Sequence, residues 1–376
     1  MVDWRELGEF LDFEQSTKYL VKSAEYDDSY SIPVLTAGQS LLLGYTNESD
    51  GVYEATKEKP TIIFDDFTTS YHWIDYRFKV KSSAMKMLRP KKGVNFRYIY
   101  YAMKQIQFVP QQHQRHWISK YSHFNIPIPS SEEQSRIVNT LDTFAASVDN
   151  LKKQIELRCK QYEYLINRAF GGTFQNMIKQ IDEGQLVAES LSMHGVFTRG
   201  RRFVRTDIVE DGQPCIHYGD MYTYYGISAT AAKTHLPVDF PKKMRYAKKG
   251  DVVIVGAGEN NEDIGVGLAW FGEEPAAVHD ACYIYESDFD PLFLSYYLRS
   301  GIYHLQIKSS VVRGKICSIS ADGIGKALIP IYSMDKQKKI VEQLLPFENL
   351  ITNLQRQLEY REKQYEYYRN KLLTFE

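Results

Sequence analysis

The amino-acid sequence predicts an α+β protein in which two α/β-like domains alternate with two long helices. The helices are expected to pair as an antiparallel coiled coil and to be related by a pseudo-twofold internal repeat. Three observations predict this fold: one segment occurs twice, each copy has the apolar spacing of a long helix, and the regions preceding the copies share an order of strand-like, glycine-turn and helix-like segments.

The repeat relates residues 126–170 to residues 329–373 at a constant offset of 203, with 20 of the 45 positions identical and no gap. The phrase "IPIPS" becomes "IPIYS", "QSRIV" becomes "QKKIV", and "KQYEY" is unchanged. Such agreement indicates an internal duplication.

Each copy has the apolar seam of a coiled coil, with steps that alternate between four and three residues. The first seam contains Ile137, Leu141, Phe144, Val148, Leu151, Ile155, Tyr162, Leu165 and Ala169, and the second contains Ile340, Leu344, Phe347, Ile351, Leu354, Leu358, Tyr365, Tyr368 and Leu372. Arg158 and Arg361 fill the same seam position, where arginine either fixes the register or extends its head into solvent. About 40 residues at ~1.5 Å each form a rod of roughly 60 Å, which suggests a spacer.

Local signals mark the helix starts and one expected irregularity. Ser130 and Glu133 have the spacing of a capping box, whereas Ser333 is followed by Lys336, so the second cap should be weaker. Pro346 should kink the second helix, because proline removes a backbone hydrogen bond.

The regions before the helices share an order of features. "SIPVLTAGQSLLLGYT" parallels "QPCIHYGDMYTYYGIS"; a β-rich run, an aromatic helix ("NFRYIYYAMK" or "DPLFLSYYLRS") and a polar segment with arginine follow in each region. We therefore expect α/β-like globular domains at residues 1–125 and 179–325, and helical spacers at residues 126–178 and 326–376.

Composition excludes several classes of protein. Hydrophobic residues make up 43% of the 376, the net charge is −1, and no apolar run approaches the roughly 20 residues of a membrane span. The N-terminus lacks the pattern of a signal peptide, so a cytoplasmic protein is expected. The four cysteines are far apart in sequence, which argues against a zinc site or a disulfide framework.

Catalytic and cofactor motifs are missing from the sequence. It contains no Walker A motif, no "DPPY"-like tetrapeptide and no HExxH spacing, and "GAGENNEDIGVG" does not match a dinucleotide-binding loop. Asp65 and Asp66 could hold a metal, although tandem acids on a strand more often point apart. The pattern is typical of a recognition protein rather than an enzyme.

The chain resembles, over its whole length, the specificity subunits of type I restriction–modification systems. The marks of this resemblance are the two helix entries "IPIPSSEEQSRIV" and "IPIYSMDKQKKIV", the ending "KQYEYYRNKLLTF", and the paired "TAGQSLLLGYT" and "PCIHYGDMYTYYG" segments.

The resemblance implies a non-catalytic subunit whose two recognition domains each bind one half of an interrupted, asymmetric DNA target. It implies two methyltransferase subunits as partners and, in some assemblies, two restriction subunits. No cofactor is expected in this chain, and S-adenosylmethionine, ATP and Mg are expected on the partner subunits.

The candidate site residues follow from loop chemistry and from the parallel order of the two domains. Thr, Ser, Asn, Arg and His side chains can bind base edges or phosphates. The candidates for DNA contact are Thr36, Gly38, Gln39, Thr68, Thr69, Ser70, His72, Arg115, Arg201, Arg202, Tyr218, Asp220, Tyr222, Asn260, Asn261 and Arg313. The candidates for partner contact are Tyr162, Tyr164, Tyr365, Tyr367 and Tyr368, which could equally pack between the helices.

Alternative functions predict different behaviour. The recognition protein of a related fused methyltransferase–nuclease system would need an attached enzyme, and a self-sufficient enzyme would bind S-adenosylmethionine. A coiled-coil scaffold would show no salt-sensitive affinity for DNA.

Overall fold

The computed structural model describes residues 2–36, 41–110, 114–240 and 243–375. The chain forms two compact units: unit 1 comprises Met1–Leu151 and Gln357–Glu376, and unit 2 comprises Lys152–Arg356. The two long helices, Ser131–Ala169 and Met334–Leu373, each contribute one end to each unit. Each unit therefore combines one globular region with parts of both helices, whereas the domain bounds predicted from the sequence follow the repeat.

Unit 1 is a mixed α/β structure. Its strands are β1 (Asp3–Glu6), β2 (Leu11–Gln15), β3 (Ile32–Leu35), β4 (Leu42–Thr46), β5 (Thr61–Asp65), β6 (Tyr71–Ile74), β7 (Lys79–Val80), β8 (Met85–Pro90) and β9 (Asn125–Ile128). Its helices are α1 (Phe96–Met103), the first part of α2 (Ser131–Ala169) and the last part of the second long helix (Met334–Leu373). The order β2–β8–β5–β6 forms an antiparallel sheet, β4–β3–β7 a second sheet, and β1 pairs with β9.

Strand β5 is buried on both faces because its side chains alternate between two apolar cores. Ile62 and Phe64 join the core that contains α1 and the helix pair, whereas Ile63 joins the core beneath β3 and β7. The strand end at Asp65 is thereby fixed from both sides.

Unit 2 is also a mixed α/β structure, but its strands are arranged in different sheets. Its helices are the last part of α2, α3 (Phe174–Asp182), α4 (Asp220–Thr223), α5 (Pro291–Tyr297), α6 (Gly301–Ile307), α7 (Ala321–Gly325) and the first part of α8 (Met334–Leu373). Its strands are β10 (Ala188–Ser190), β11 (Gly195–Arg199), β12 (Gln213–Ile216), β13 (Ser228–Ala229), β14 (Thr234–Leu236), β15 (Tyr246–Ala247), β16 (Val252–Val255), β17 (Ala257–Gly258), β18 (Gly267–Trp270), β19 (Ala276–Val278), β20 (Cys282–Ser287), β21 (Cys317–Ser318) and β22 (Leu328–Pro330). The sheets are β11–β20–β16–β18–β13, β14–β12–β19–β15, β17–β21 and β10–β22.

The long helices pair antiparallel, as predicted. In unit 1, Leu373 shares a core with Ile137, and Tyr368 stacks on Phe144 with ring centroids 5.0 Å apart. The order of contacts along α8 is thus the reverse of that along α2. In unit 2 the other two ends meet in the same sense: the apolar core contains both Ile166 and Ile340.

The duplication is visible where each globular region joins a long helix. β1 pairs with β9, and β10 pairs with β22, immediately before α2 and α8 respectively. A tyrosine on α1 and one on α5 each donate to a carboxylate on a long helix: Tyr101 to Asp142 at 2.5 Å, and Tyr296 to Glu348 at 3.1 Å. These matching bonds attach each region to the helices through buried aromatic side chains.

The helix starts differ from expectation in one respect. Ser130 accepts from the backbone N–H of Glu133 at 3.3 Å, but the Glu133 carboxylate binds Arg136 at 2.6 Å, so the predicted capping box is only half formed. Ser333 accepts the matching bond at 3.4 Å. The two caps are therefore alike. Helix α8 continues through Pro346.

Candidate nucleic-acid interface

The turn between β5 and β6 presents three of the unit 1 candidates. The Asp65 carboxylate accepts from the backbone N–H groups of Phe67 and Thr68, both at 2.7 Å, and the Thr68 and Ser70 hydroxyls are 2.7 Å apart. Thr69 has a φ of +59°, in the left-handed region that a β-branched residue rarely adopts. Thr68 is exposed, Ser70 is partly exposed, and Thr69 is buried. The turn is thus held in one shape with hydroxyl groups at its surface.

Asp66 connects this turn to the segment of Arg115. Its carboxylate accepts from the backbone N–H of His116 at 3.1 Å and of Trp117 at 2.7 Å, and its carbonyl accepts from the His116 N–H at 2.8 Å. The carboxylate also binds Lys86 at 3.0 Å, and both side chains are only 2% exposed. Arg115 itself is exposed. Two of the predicted elements, 68–70 and Arg115, are therefore brought together, and the tandem acids have separate structural roles.

The remaining unit 1 candidates differ in placement. His72, on β6, is partly buried, and burial followed by the charge of Lys104 lowers its pKa. Thr36 follows β3 in a different sheet, where its N–H donates to the Leu41 carbonyl at 2.8 Å. Gly38 and Gln39 lie outside the described residues.

In unit 2, residues 199–205 form an arginine-rich segment at the end of β11, which we call the arginine arm. Glycine is needed at position 200, because a Cβ there would collide with the carbonyl groups of Val278 and His279. Arg201 and Arg202 are exposed, and the buried Phe203 anchors the segment between them and Arg205. Arg201 and Arg202, two of the candidates for DNA contact, are therefore accessible from solvent.

A cleft of about 430 Å³ lies behind that arm. Its lining includes Arg199, Arg202, Arg205, His217, Tyr218, Gly258 and His279. The two histidine rings are 4.8 Å apart. Burial, and then the neighbouring His279, lowers the pKa of His217 to about 4, and burial also lowers the pKa of His279.

Both histidines are therefore neutral at pH 7. Their Nδ1 atoms accept from the backbone N–H groups of Gly219 and Ala281, each at 3.1 Å, which leaves the proton on Nε2. The arginine side chains and the neutral histidines together make the cleft rich in hydrogen-bond donors. Sequence reasoning missed both histidines: His217 stood in the stretch "CIHYGD", but His279 is 62 residues away and had no signal of its own.

Three predicted residues lie on or beside α4. Tyr218 contacts His279 with ring centroids 5.2 Å apart, and Tyr222 is 37% exposed. Asp220 is mostly buried and binds Lys233 at 3.0 Å, which gives it a role within the fold.

The loop that contains Asn260 and Asn261 lies beside the loop that contains Arg313 in unit 2. β17 pairs with β21, with Gly258 opposite Cys317, so the segments that follow β17 and precede β21 are neighbours. All three candidate side chains are exposed, and Asn260 donates to Asp263 at 3.1 Å.

The tyrosines of the repeat divide into two groups. Tyr162 and its repeat equivalent Tyr365 pack against the apolar cores of units 2 and 1. Tyr164 and its equivalent Tyr367 are 63% and 58% exposed. Tyr368 stacks on Phe144 and is 38% exposed. Packing within the chain thus accounts for Tyr162 and Tyr365, and partner contact stays a prediction for the exposed members of the set.

The seam arginines behave alike in both copies. Arg158 donates to Gln161 at 2.7 Å and Arg361 donates to Gln364 at 3.1 Å, each on its own helix. Arg361 also lies over the Phe144 ring, 5.7 Å from its centroid.

Across the described ranges, no group of three His, Cys, Asp or Glu side chains is placed to hold a metal ion. All four cysteines are free thiols. In the same part of the chain, the helices are too short or too polar to cross a membrane.

Comparison with known proteins gives consistent matches. A family model described as the type I restriction modification DNA specificity domain matches residues 1–159. The EcoR124I/EcoR124II specificity subunit of Escherichia coli is 33% identical over 403 aligned residues, covering 100% of this chain and 94% of that protein. The MjaVIII specificity subunit of Methanocaldococcus jannaschii is 23% identical, covering 99% and 92%. The crystal structure of a type I system S subunit from M. genitalium has the same fold, with a TM-score of 0.64, 16% identity and coverage of 100% and 97%.

Proposed function

This chain belongs to the specificity subunits of type I restriction–modification systems, and from that premise we propose that its two units each read one half of an interrupted, asymmetric DNA target. As a member of that family, the chain is a non-catalytic DNA-recognition subunit. The main support for two separate half-sites is that the same junction to the long helices carries two unlike sets of surface loops.

The chemistry of the loops differs between the units. Unit 1 offers the hydroxyl groups of Thr68 and Ser70 beside Arg115, and hydroxyls can donate to or accept from several bases. Unit 2 offers Arg202, Arg205 and the Nε2–H group of His217, and such donors suit the O6 and N7 acceptors of guanine. We infer that the half-site read by unit 2 contains at least one guanine contacted by arginine.

The repeated helix surfaces are proposed to bind two copies of a methyltransferase subunit. Tyr164 and Tyr367 support this proposal, because they occupy equivalent positions of the repeat and both are exposed. Tyrosine is a common anchor at protein interfaces. The helix pair would set the length of the gap in the target, S-adenosylmethionine would bind the methyltransferase subunits, and ATP and Mg would bind restriction subunits that join the complex.

The proposal is tested by co-expressing the chain with the methyltransferase subunit of its system and mapping methylated adenines in host DNA. An interrupted, asymmetric motif with one methylated adenine on each strand is the expected result. A complex that forms without producing new methylation would contradict DNA recognition and favour a scaffold. An uninterrupted motif would contradict the assignment of one half-site to each unit.

A further inference from the structure

Three cationic side chains of unit 1 cluster on a platform of aromatic rings where α1 meets α8. The Arg97 guanidinium lies 4.6 Å from the Trp73 ring centroid. The Lys104 ammonium lies 4.9 Å from the Tyr100 centroid, and the Arg369 guanidinium lies 6.0 Å from that of Tyr365. Aromatic faces attract cations, so the rings hold these groups in place without cancelling their charge.

The cluster has an excess of positive charge. Asp142 binds Arg97 at 2.7 Å and also accepts the Tyr101 hydroxyl, and the charge of Asp149 acts on the neighbouring Tyr100. Three cations thus face two carboxylates. Burial, and then the charges of Arg369 and Arg97, lower the pKa of Lys104 to about 8. Within residues 2–36, 41–110, 114–240 and 243–375, no carboxylate forms an ion pair with Lys104 or Arg369. The charges of Arg97 and Arg369 thus disfavour the charged form of Lys104, and an anion bound beside them would relieve this repulsion.

In unit 2, the cation at the corresponding position is hydrogen-bonded within the fold and is influenced by the charge of a carboxylate. Asn95 caps α1 and Asp290 caps α5, and Lys104 and Arg299 each follow their cap by nine residues. Arg299 donates to the carbonyl of Gly226 at 2.7 Å, and the carboxylate of Glu348 opposes the effect of burial on its pKa. The excess charge at Lys104 is thus not a requirement of the shared junction.

The position of the cluster connects it to the candidate interface. Lys104 is 5.9 Å from the ring centroid of Tyr71, the first residue of β6 after the turn at 65–70. Its charge also acts on the next residue, His72. We propose that Lys104 and Arg369 bind a phosphodiester group of the DNA strand that passes this turn. The proposal rests on the proposed function of unit 1 as a reader of one half-site.

The test compares Lys104→Gln and Arg369→Gln with the unaltered chain, each in complex with the methyltransferase subunit. Binding to a fluorescent duplex that carries the mapped target is measured between about 50 and 200 mM salt. Loss of one phosphate contact should lower the slope of log K against log salt by about 1 and weaken all sequences alike. Lys18→Gln is the matched control, because Lys18 also lies over a tyrosine ring but is paired with Glu14 at 2.6 Å.

Each outcome has a separate meaning. Reduced slopes for Lys104→Gln and Arg369→Gln, with Lys18→Gln unchanged and the methylated motif unaltered, support the phosphate site. Unchanged slopes in complexes that still bind their target overturn it and leave half-site recognition intact. Unchanged slopes together with loss of the methyltransferase subunit would indicate that these cations bind a carboxylate of that subunit, and this result would also overturn the phosphate site. Failure of the unaltered complex to bind the duplex would overturn both proposals.

Discussion

Lys86→Met is the most direct perturbation of the turn in unit 1. The Asp66 side chain is 2% exposed, and the substitution removes the Lys86 ammonium group that lies 3.0 Å from its carboxylate. Removing one partner of a buried ion pair costs about 3–5 kcal/mol, because the remaining charge is uncompensated. Lys86 also lies 4.5 Å from the ring centroid of Phe13, and this contact would be lost too.

For a unit of this size, a loss of that magnitude lowers Tm by on the order of 10 °C. The second substitution, Asp66→Asn, removes the charge and keeps the side-chain oxygen that accepts from His116 and Trp117. The double variant should therefore regain most of the lost stability, whereas Asp66→Ala with Lys86→Met should not. Calorimetry of the full chain measures both effects.

The paired control is Lys18→Met, which should cost less than about 1 kcal/mol, because Lys18 is 69% exposed and Glu14 keeps Arg89 as a second partner. The reasoning is refuted if Lys86→Met is no less stable than this control, or if Asp66→Asn adds a further loss instead of restoring stability. Methylation mapping supplies a second readout: Asp66→Ala with Lys86→Met should relax only the half-site of unit 1, because it releases the segment of Arg115.

Three further predictions concern unit 2 and the helices. The folded-state pKa of His217, about 4, lies below its ordinary value near 6.5, so its contribution to stability is complete above pH 6.5 and is lost as pH falls towards 4. Urea unfolding should show this loss of stability with falling pH, and His217→Gln should remove the part of it that comes from His217. Gly200→Ala should displace the arginine arm, because its Cβ meets the carbonyl groups of Val278 and His279, and methylation mapping should show a relaxed or lost half-site for unit 2 only. Replacing the exposed Tyr164 and Tyr367 by Ala should weaken binding of the methyltransferase subunit by about 1 kcal/mol or more for each tyrosine, and a titration with the purified subunit measures this effect. The stability of the chain to urea should be almost unchanged.

Much of the helical architecture could be predicted from the sequence because it depends on local, periodic signals. The seam positions Ile137 and Ile340 lie in cores, and the helices pair in the predicted direction. The proposed capping box failed in part because a nearer partner, Arg136, competes for the Glu133 carboxylate. Residue spacing alone could not reveal that competition.

The candidate site was less accessible to sequence reasoning. Loop residues such as Thr68 and Arg202 could be proposed from their chemistry, and both are exposed. Asp66, Lys86, His217 and His279 could not be assigned roles, because their partners are distant in sequence and meet only in the folded chain.

By itself, the sequence determined the duplication, the two long helices and their antiparallel pairing, and the family to which the chain belongs. The helices and their pairing depend on apolar residues that recur at short, regular intervals, and the duplication and the family depend on segments that can be compared directly as sequence. Only the tertiary structure decided which repeat tyrosine is packed and which is exposed. It also decided whether a carboxylate opposes the effect of burial on a cation at the junction, as Glu348 does for Arg299, or whether other cations add to that effect, as they do for Lys104. Burial and charge balance arise from elements that are far apart in sequence, so they exist only once those elements are packed together.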